Sequence, residues 1–199
     1  NDKKKDKKNK FYEIKLVLKK LKYNFKNSDM NLYENKIFLS KKIIKLPNNY
    51  LIFHFDEKWI FNEYIKSYTS IEPSYLEFRN FLNILTKKIK TNIVITTGSI
   101  SNYEIIDKLK LDFIKINNNQ YFNYINKQKV YLLNNLNIFD LEFFIKNSKL
   151  VITCHGAVSH IASSLNIKLL EIFEKRKKIH YVKWNSHFRN YLYLYRKNF

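Results

Sequence analysis

From Tyr50 to Phe173 the chain alternates between short, continuous apolar runs and stretches whose apolar residues fall three and four apart. Tyr50–Phe55 (YLIFHF), Asn92–Thr96 (NIVIT), Val130–Leu133, Leu150–Thr153 and Lys168–Phe173 are short and rich in β-branched or aromatic residues, which predicts buried strands. Asp112–Ile116 reads as a further short strand. Between these runs, Tyr75–Lys90, Ser101–Leu109, Ile138–Asn147 and Ala157–Leu165 carry helical spacing. On Tyr75–Lys90 the apolar side holds Leu76, Phe78, Phe81, Leu82, Leu85 and Ile89. On Ala157–Leu165 it holds Val158, Ile161, Ala162 and Leu165, and Asn166 ends the helix. Ser101 followed by Glu104 has the spacing of a reciprocal cap. Asn117–Gln128 (NNNQYFNYINKQ) shows no clean period and reads as irregular. Ile71–Ser74 reads as a turn, and Ser186–Arg196 as a closing aromatic helix. Strand and helix patterns in alternation predict an α/β fold, a Rossmann-like parallel sheet with helices on both faces.

Residues 1–49 look different. NDKKKDKKNK at the start is a lysine-rich low-complexity run. Phe11–Phe25 has helical spacing at Phe11, Ile14, Leu18 and Leu21. Lys36–Leu39 and Ile43–Leu46 are short β-type runs, and Pro47-Asn48-Asn49 is a turn. The expected organisation is therefore an extension over 1–49 and one α/β domain over 50–199. Asn1, rather than Met, at the start fits a piece of a longer protein. No apolar run approaches the length of a membrane-spanning helix.

The charge alters this picture less than its size suggests. Lys and Arg total 37 against 17 Asp and Glu, a net charge of +20. Only four of the basic residues are arginine, and lysine is spread through every segment. Lys, Asn, Ile, Tyr and Phe, all with AT-rich codons, are abundant together, so genomic bias accounts for much of the excess. A basic nucleic-acid-binding domain is the competing reading, but such domains concentrate arginine and aromatics on one face; no specific nucleic acid is expected. A positive surface favours phosphorylated substrates and peripheral contact with anionic membrane. The lone Cys154 excludes an internal disulfide framework and suits the cytoplasm.

Both glycines of the chain, Gly98 and Gly156, fall at expected strand exits. In Leu150–Leu165 a strand runs through Cys154-His155-Gly156 into a helix. The first amides of a helix lack intrahelical partners and the dipole is positive there, so a diphosphate can sit on them. Gly156, Ala157 and Ser159 are candidates to hold it, with His155 in the turn and His160 a turn further on. The bland alternative is a tight turn that needs glycine, with His160 partly buried. A His155–His160 metal pair is disfavoured by its five-residue step, so no metal is expected. Cys154 and His155, as strand neighbours, point to opposite faces and do not make a thiol–imidazole pair. A second cluster, His54, Asp56, Glu57 and Lys58, lies at the end of the first strand, with Trp59 beside it. There Lys58 suits a phosphate and Asp56 or Glu57 suits ribose or an acceptor; the alternative is an exposed loop of ion pairs. Glu171, near the end of the last strand, suits ribose, and Trp184 a base. The three-glycine dinucleotide fingerprint and the Gly-Lys-Ser/Thr phosphate loop are absent, which disfavours redox dinucleotides and NTP hydrolysis.

Three stretches resemble, in order and spacing, the nucleotide-sugar-binding half of GT-B glycosyltransferases. They are FHFDEKW with Lys58-Trp59, VITTGSISNYEIIDKL with Thr97-Gly98, and LEFFIKNSKLVITCHGAVSHIASSLNIKLLEIF. The nearest family is the ADP-heptose:lipopolysaccharide heptosyltransferases, glycosyltransferase family 9, and the likeness covers about Tyr50 to Phe173. The family's Asp-Ser/Thr-Gly turn, with His three residues after Gly, stands here as Cys154-His155-Gly156 with His160 four after. The resemblance implies the C-terminal half of a GT-B fold, with residues 1–49 as the tail of an acceptor domain and the interdomain connection. It implies transfer of a sugar from a nucleotide diphosphate sugar, the substrate rather than a cofactor, to a lipid-linked or surface glycan such as lipopolysaccharide. Gly156 to His160 would hold the diphosphate, Lys58 would neutralise it, and the general base would lie in the other half. A non-catalytic interaction domain on the same fold is the remaining alternative.

Overall fold

The computed structural model describes residues 19–22, 46–60, 73–98 and 103–195. Beyond residues 19–22 the expected helix Phe11–Phe25 lies outside them, as do Lys36–Leu39 and Ile43–Leu46 apart from Leu46. Eight strands form one sheet: β1 Tyr50–His54, β2 Asn92–Thr96, β3 Ile114–Asn117, β4 Gln120–Ile125, β5 Gln128–Leu133, β6 Val151–Cys154, β7 Leu169–Phe173 and β8 Tyr191–Tyr195. Among the described residues the bounded helices are α1 Tyr75–Ile89, α2 Glu104–Asp112, α3 Ile138–Lys146, α4 Ala157–Ser164 and α5 Lys178–Trp184. The strand order is β3-β4-β5-β2-β1-β6-β7-β8. β5, β2, β1, β6, β7 and β8 run parallel, while β3 and β4 form an antiparallel edge.

Every residue of β1 is buried, as a continuous apolar run requires of a central parallel strand. Alternate side chains feed two cores. Leu51, Phe53, Ile93 and Ile95 pack with Phe78 and Leu82 of α1 and Ile106 and Leu109 of α2. Tyr50, Ile52 and Val94 pack with Phe144 and Ile145 of α3 and Val158 and Ala162 of α4. Helices therefore cover both faces, as the alternating pattern predicts.

The chain moves from β1 outward to β2 and β5, then returns through α3 to place β6 on the other side of β1. At such a reversal the loops after neighbouring strands part in opposite directions and leave a crevice at the carboxyl edge, where ligands bind in open α/β sheets. The loops after β1 and β6 flank that crevice.

Five local expectations are corrected. Asn117–Gln128 is not irregular: it holds β4, which pairs with β5 through a two-residue turn, Asn126-Lys127, with both φ values positive. That is the geometry hairpin twist favours, formed here without the usual glycine. Ser186–Arg196 is not a helix: Tyr191–Tyr195 is strand β8, parallel to β7. Its strict Tyr/Leu alternation is a period of two, with the tyrosines half-buried and Leu192 and Leu194 exposed. The helix before it, α5, comes from the charged stretch. The helix expected from Ser101 starts later: α2 begins at Glu104 with Tyr103 at its N-cap and no side-chain cap, and Ser101 lies outside the described residues. Tyr103 is buried with its ring edge-on to Phe55, so core packing sets that start. The reciprocal cap belongs instead to α1, between Ser74 and Glu77. On α1, Leu76 and Ile89 face solvent, and Phe78, Leu82 and Thr86 form its buried line. The expected strand Asp112–Ile116 begins at Ile114, Asp112 being the last residue of α2.

Candidate functional site

The loop after β1 is built inward. Asp56 caps a single 3-10 turn, Glu57–Trp59, by accepting the Lys58 amide at 3.0 Å. The turn tucks Trp59 into the core, where its indole N–H donates to the His54 carbonyl at 3.0 Å and its ring stacks on Phe55. Trp59 is thus an anchor. With it in place, Lys58 folds back over its own loop, donating to Asp56 Oδ2 at 2.9 Å and to Glu57 Oε1 at 2.8 Å. Burial disfavours the Lys58 ammonium, but the two carboxylates outweigh it and hold its pKa above the usual lysine value. Burial likewise pushes the Glu57 carboxyl up, and the hydrogen bond and charge of Lys58 more than reverse this. His54 is buried with Nδ1 3.0 Å from the Thr96 hydroxyl; burial lowers its pKa against the opposing pull of Asp56.

The loop after β6 meets this one. Gly156 is the N-cap of α4, in extended backbone (φ 171°) that any residue adopts. The glycine is needed for space, not for the turn. A Cβ there would lie 3.1 Å from both Cε and Nζ of Lys58. The absence of a side chain lets the ammonium lie against the first turn of α4, whose leading amides, Ala157 and Val158, have no partner within the helix. Ser159 is fully buried; its hydroxyl accepts from the Gly156 amide and donates to the Cys154 carbonyl, both at 3.3 Å. It ties the turn together from below and does not face a ligand. Cys154 is buried.

Gly156→Ala is expected to change folding stability by less than about 1 kcal/mol, because only the flexible end of Lys58 has to move. It displaces the ammonium from the helix terminus, so anion affinity falls while the melting temperature barely does. A loss of stability on the scale of a core cavity would mean that the backbone itself requires glycine.

A third group closes the far side. Glu171 of β7 has no exposed surface. Its Oε1 lies 2.9 Å from His155 Nδ1, and its Oε2 accepts from the Asn185 amide at 2.7 Å and the Tyr191 hydroxyl at 2.8 Å. With both oxygens engaged, Glu171 orients His155 rather than reaching a ribose. The His155 ring lies 4.1 Å from that of Tyr181 and 5.8 Å from that of His160. His160 in turn stacks on His187 at 6.0 Å, with the Phe188 ring edge-on. Burial, then the neighbouring imidazoles of His155 and His187, hold the His160 pKa below its usual value. Burial does the same for His187.

The fold therefore brings Asp56, Lys58, His155, Gly156, Ala157 and His160 to one part of the sheet edge. Gly98 stands apart, at the exit of β2, with open space where a Cβ would be. Its neighbour Thr97 ties that exit to β5 through Asn134 and Asn135. Trp184 sits on α5 against His180. Tyr181, Asn185, His187 and Tyr191 also belong to the site. No local motif marks them; the signal that could have found the strand beside Glu171, read above as a helix, is the Tyr/Leu alternation of β8. Among the described residues no three His, Cys, Asp or Glu side chains stand where they would hold a metal ion. No helix among them is long and apolar enough to cross a membrane.

No protein-family model matches the chain. No curated protein matches it significantly.

Proposed function

We infer that this domain binds the diphosphate of a nucleotide sugar and serves a glycosyltransferase of GT-B type. One observation carries the reading: Lys58 lies against side-chain-free Gly156 at the start of α4, in the crevice where the strand order reverses. A phosphate there meets helix-terminal amides, a lysine and the imidazoles of His155 and His160. When the sugar–phosphate bond breaks, negative charge develops on the departing diphosphate, and preorganised donors stabilise that charge. The resemblance to the family 9 heptosyltransferases supports a sugar acceptor in lipopolysaccharide or another surface glycan. The basic surface fits a site of action in the cytoplasm, against the anionic inner face of a membrane.

The reading is tested by thermal denaturation with ADP-, UDP-, GDP- and CMP-sugars. Ligand at one hundred times its Kd stabilises the native state by about 2.7 kcal/mol, a shift of several degrees. A shift with one nucleotide class, lost in both Lys58→Ala and His160→Ala, is expected and names the base. No shift with any sugar nucleotide at millimolar concentration overturns the reading.

A further inference from the structure

The charges of the site do not balance for a diphosphate. Lys58 is shared between Asp56 and Glu57, and a third carboxylate, Glu171, lies behind His155. Two carboxylates thus already match the one lysine, the third stands on His155, and an incoming diphosphate adds further negative charge. Helix-terminal amides contribute only about half an elementary charge. Among the described residues around this turn, the groups able to supply a full positive charge are the imidazoles.

These imidazoles are not equivalent. His160 and His187 are stacked on each other and half-enclosed, and burial holds both pKa values low, with only the pull of Glu171, the smallest influence there, opposing it at His160. His54 points its Nδ1 at Thr96 under β1 and is buried. His155 has a carboxylate at hydrogen-bond distance from one ring nitrogen, 2.9 Å, whereas the Asp56 carboxylate stands 3.9 Å from His54 Nε2. A carboxylate accepts only, so Nδ1 carries the proton and Nε2 carries the lone pair. Nε2 makes no hydrogen bond to the described residues, and the ring is one residue from Gly156. The other oxygen of Glu171 is held by Asn185 and Tyr191, which fixes the carboxylate's orientation and therefore the imidazole's. This is a ring with one nitrogen anchored to a buried anion and the other presented at the edge of the crevice.

We propose that His155, positioned by Glu171, completes this anion site by taking up a proton from solvent as a diphosphate binds and donating the resulting Nε2–H to a phosphate oxygen. The inference rests on the diphosphate-binding reading above. The imidazolium then lies between two anions, Glu171 and the ligand, an arrangement that favours the charged form. Every titratable or charged group near the ring has a place in this scheme. Glu171 of β7 stabilises the imidazolium. Tyr191 of β8, its pKa raised by burial, remains a neutral phenol, and Tyr181 of α5 lays its ring 4.1 Å from the imidazole. His160 and His187 stay neutral, kept so more strongly once His155 is charged. Lys58, across Gly156, is screened by its own two carboxylates.

Titration calorimetry with inorganic pyrophosphate, ADP and UDP, in buffers of different ionisation enthalpy, tests this on the whole chain. The wild type is expected to take up close to one proton per ligand near neutral pH, with Kd rising about tenfold per pH unit through that range. In His155→Gln the uptake disappears and the pH slope flattens; in His180→Gln, an exposed imidazole of α5 outside the site, the uptake stays. In the ligand-free protein, nitrogen-15 imidazole shifts are expected to show Nδ1 protonated at His155, and Glu171→Gln to release that tautomer. Binding without proton uptake, or uptake that survives His155→Gln, overturns this inference and leaves the diphosphate site standing. An Nε2–H tautomer in the free protein overturns it too. Failure of all three probes to bind at any pH overturns the site and the inference together.

Discussion

Glu171→Ala is expected to destabilise the protein by about 3–5 kcal/mol, the cost of leaving three buried donors without their common acceptor. The side chain is fully buried and serves three donors from three parts of the chain: His155 after β6, Asn185 after α5 and Tyr191 at the start of β8. Truncation leaves an imidazole N–H, an amide and a phenol without their acceptor in a space closed to water, and each orphaned group costs about 1–3 kcal/mol. Part of that is recovered if β8 loosens, since β8 pairs with the sheet on one side only, through β7. Glu171→Gln separates shape from charge. It keeps the volume and one acceptor oxygen but turns the other into a donor that faces donors, so it should fall between wild type and alanine. Urea denaturation followed by tryptophan fluorescence gives the values. Amide exchange should show Tyr191–Tyr195 losing protection first. A loss below about 1 kcal/mol for alanine, with β8 still protected, would mean that water satisfies these donors and that the network has no structural weight.

Trp59→Ala should cost about 3–5 kcal/mol as well, by a different mechanism. The indole fills the core under the β1 loop, 4.9 Å from the ring of Phe53 and 5.9 Å from that of Phe55. Its removal leaves a cavity and strips the His54 carbonyl of its donor. The consequence for function is as large. Asp56, Glu57 and Lys58 are held in place by a single 3-10 turn, and a short turn without tertiary packing has little stability of its own. On the proposed diphosphate-binding reading, the variant's remaining folded molecules should therefore bind sugar nucleotides more weakly than loss of Lys58 alone would explain. Trp59→Phe keeps most of the ring contact and loses the hydrogen bond, with an expected cost of about 1–2 kcal/mol. If Trp59→Ala lowers stability but leaves the nucleotide-induced shift in melting temperature intact, the loop is held by its own hydrogen bonds and the tryptophan is only core.

These two residues also show how differently the chain discloses its parts. Trp59 follows a buried apolar strand in sequence, so an inward role could be argued from local cost: a large aromatic at a strand exit is expensive to expose. Glu171 gave no such signal. A carboxylate near a strand end reads equally well as a ribose ligand, and its partners lie 16, 14 and 20 residues away along the chain.

The sequence by itself determined the fold class, most of the strand and helix positions within a residue or two, and the sheet-edge location of Gly156, Lys58 and His155. Those properties are written in local periodicity: a central parallel strand must be apolar on both faces, and an amphipathic helix must repeat near 3.6 residues. Tertiary structure alone decided the strand order, the β4–β5 hairpin, the pairing of β8 with β7, and the approach of Lys58 to Gly156. Each depends on which distant segment supplies the other half of a contact. Hydrophobic period records that a face is buried but not what buries it. Gly156 shows the limit best. Its position was legible, but its reason, room for a lysine some hundred residues earlier in the chain, exists only once β1 and β6 lie side by side.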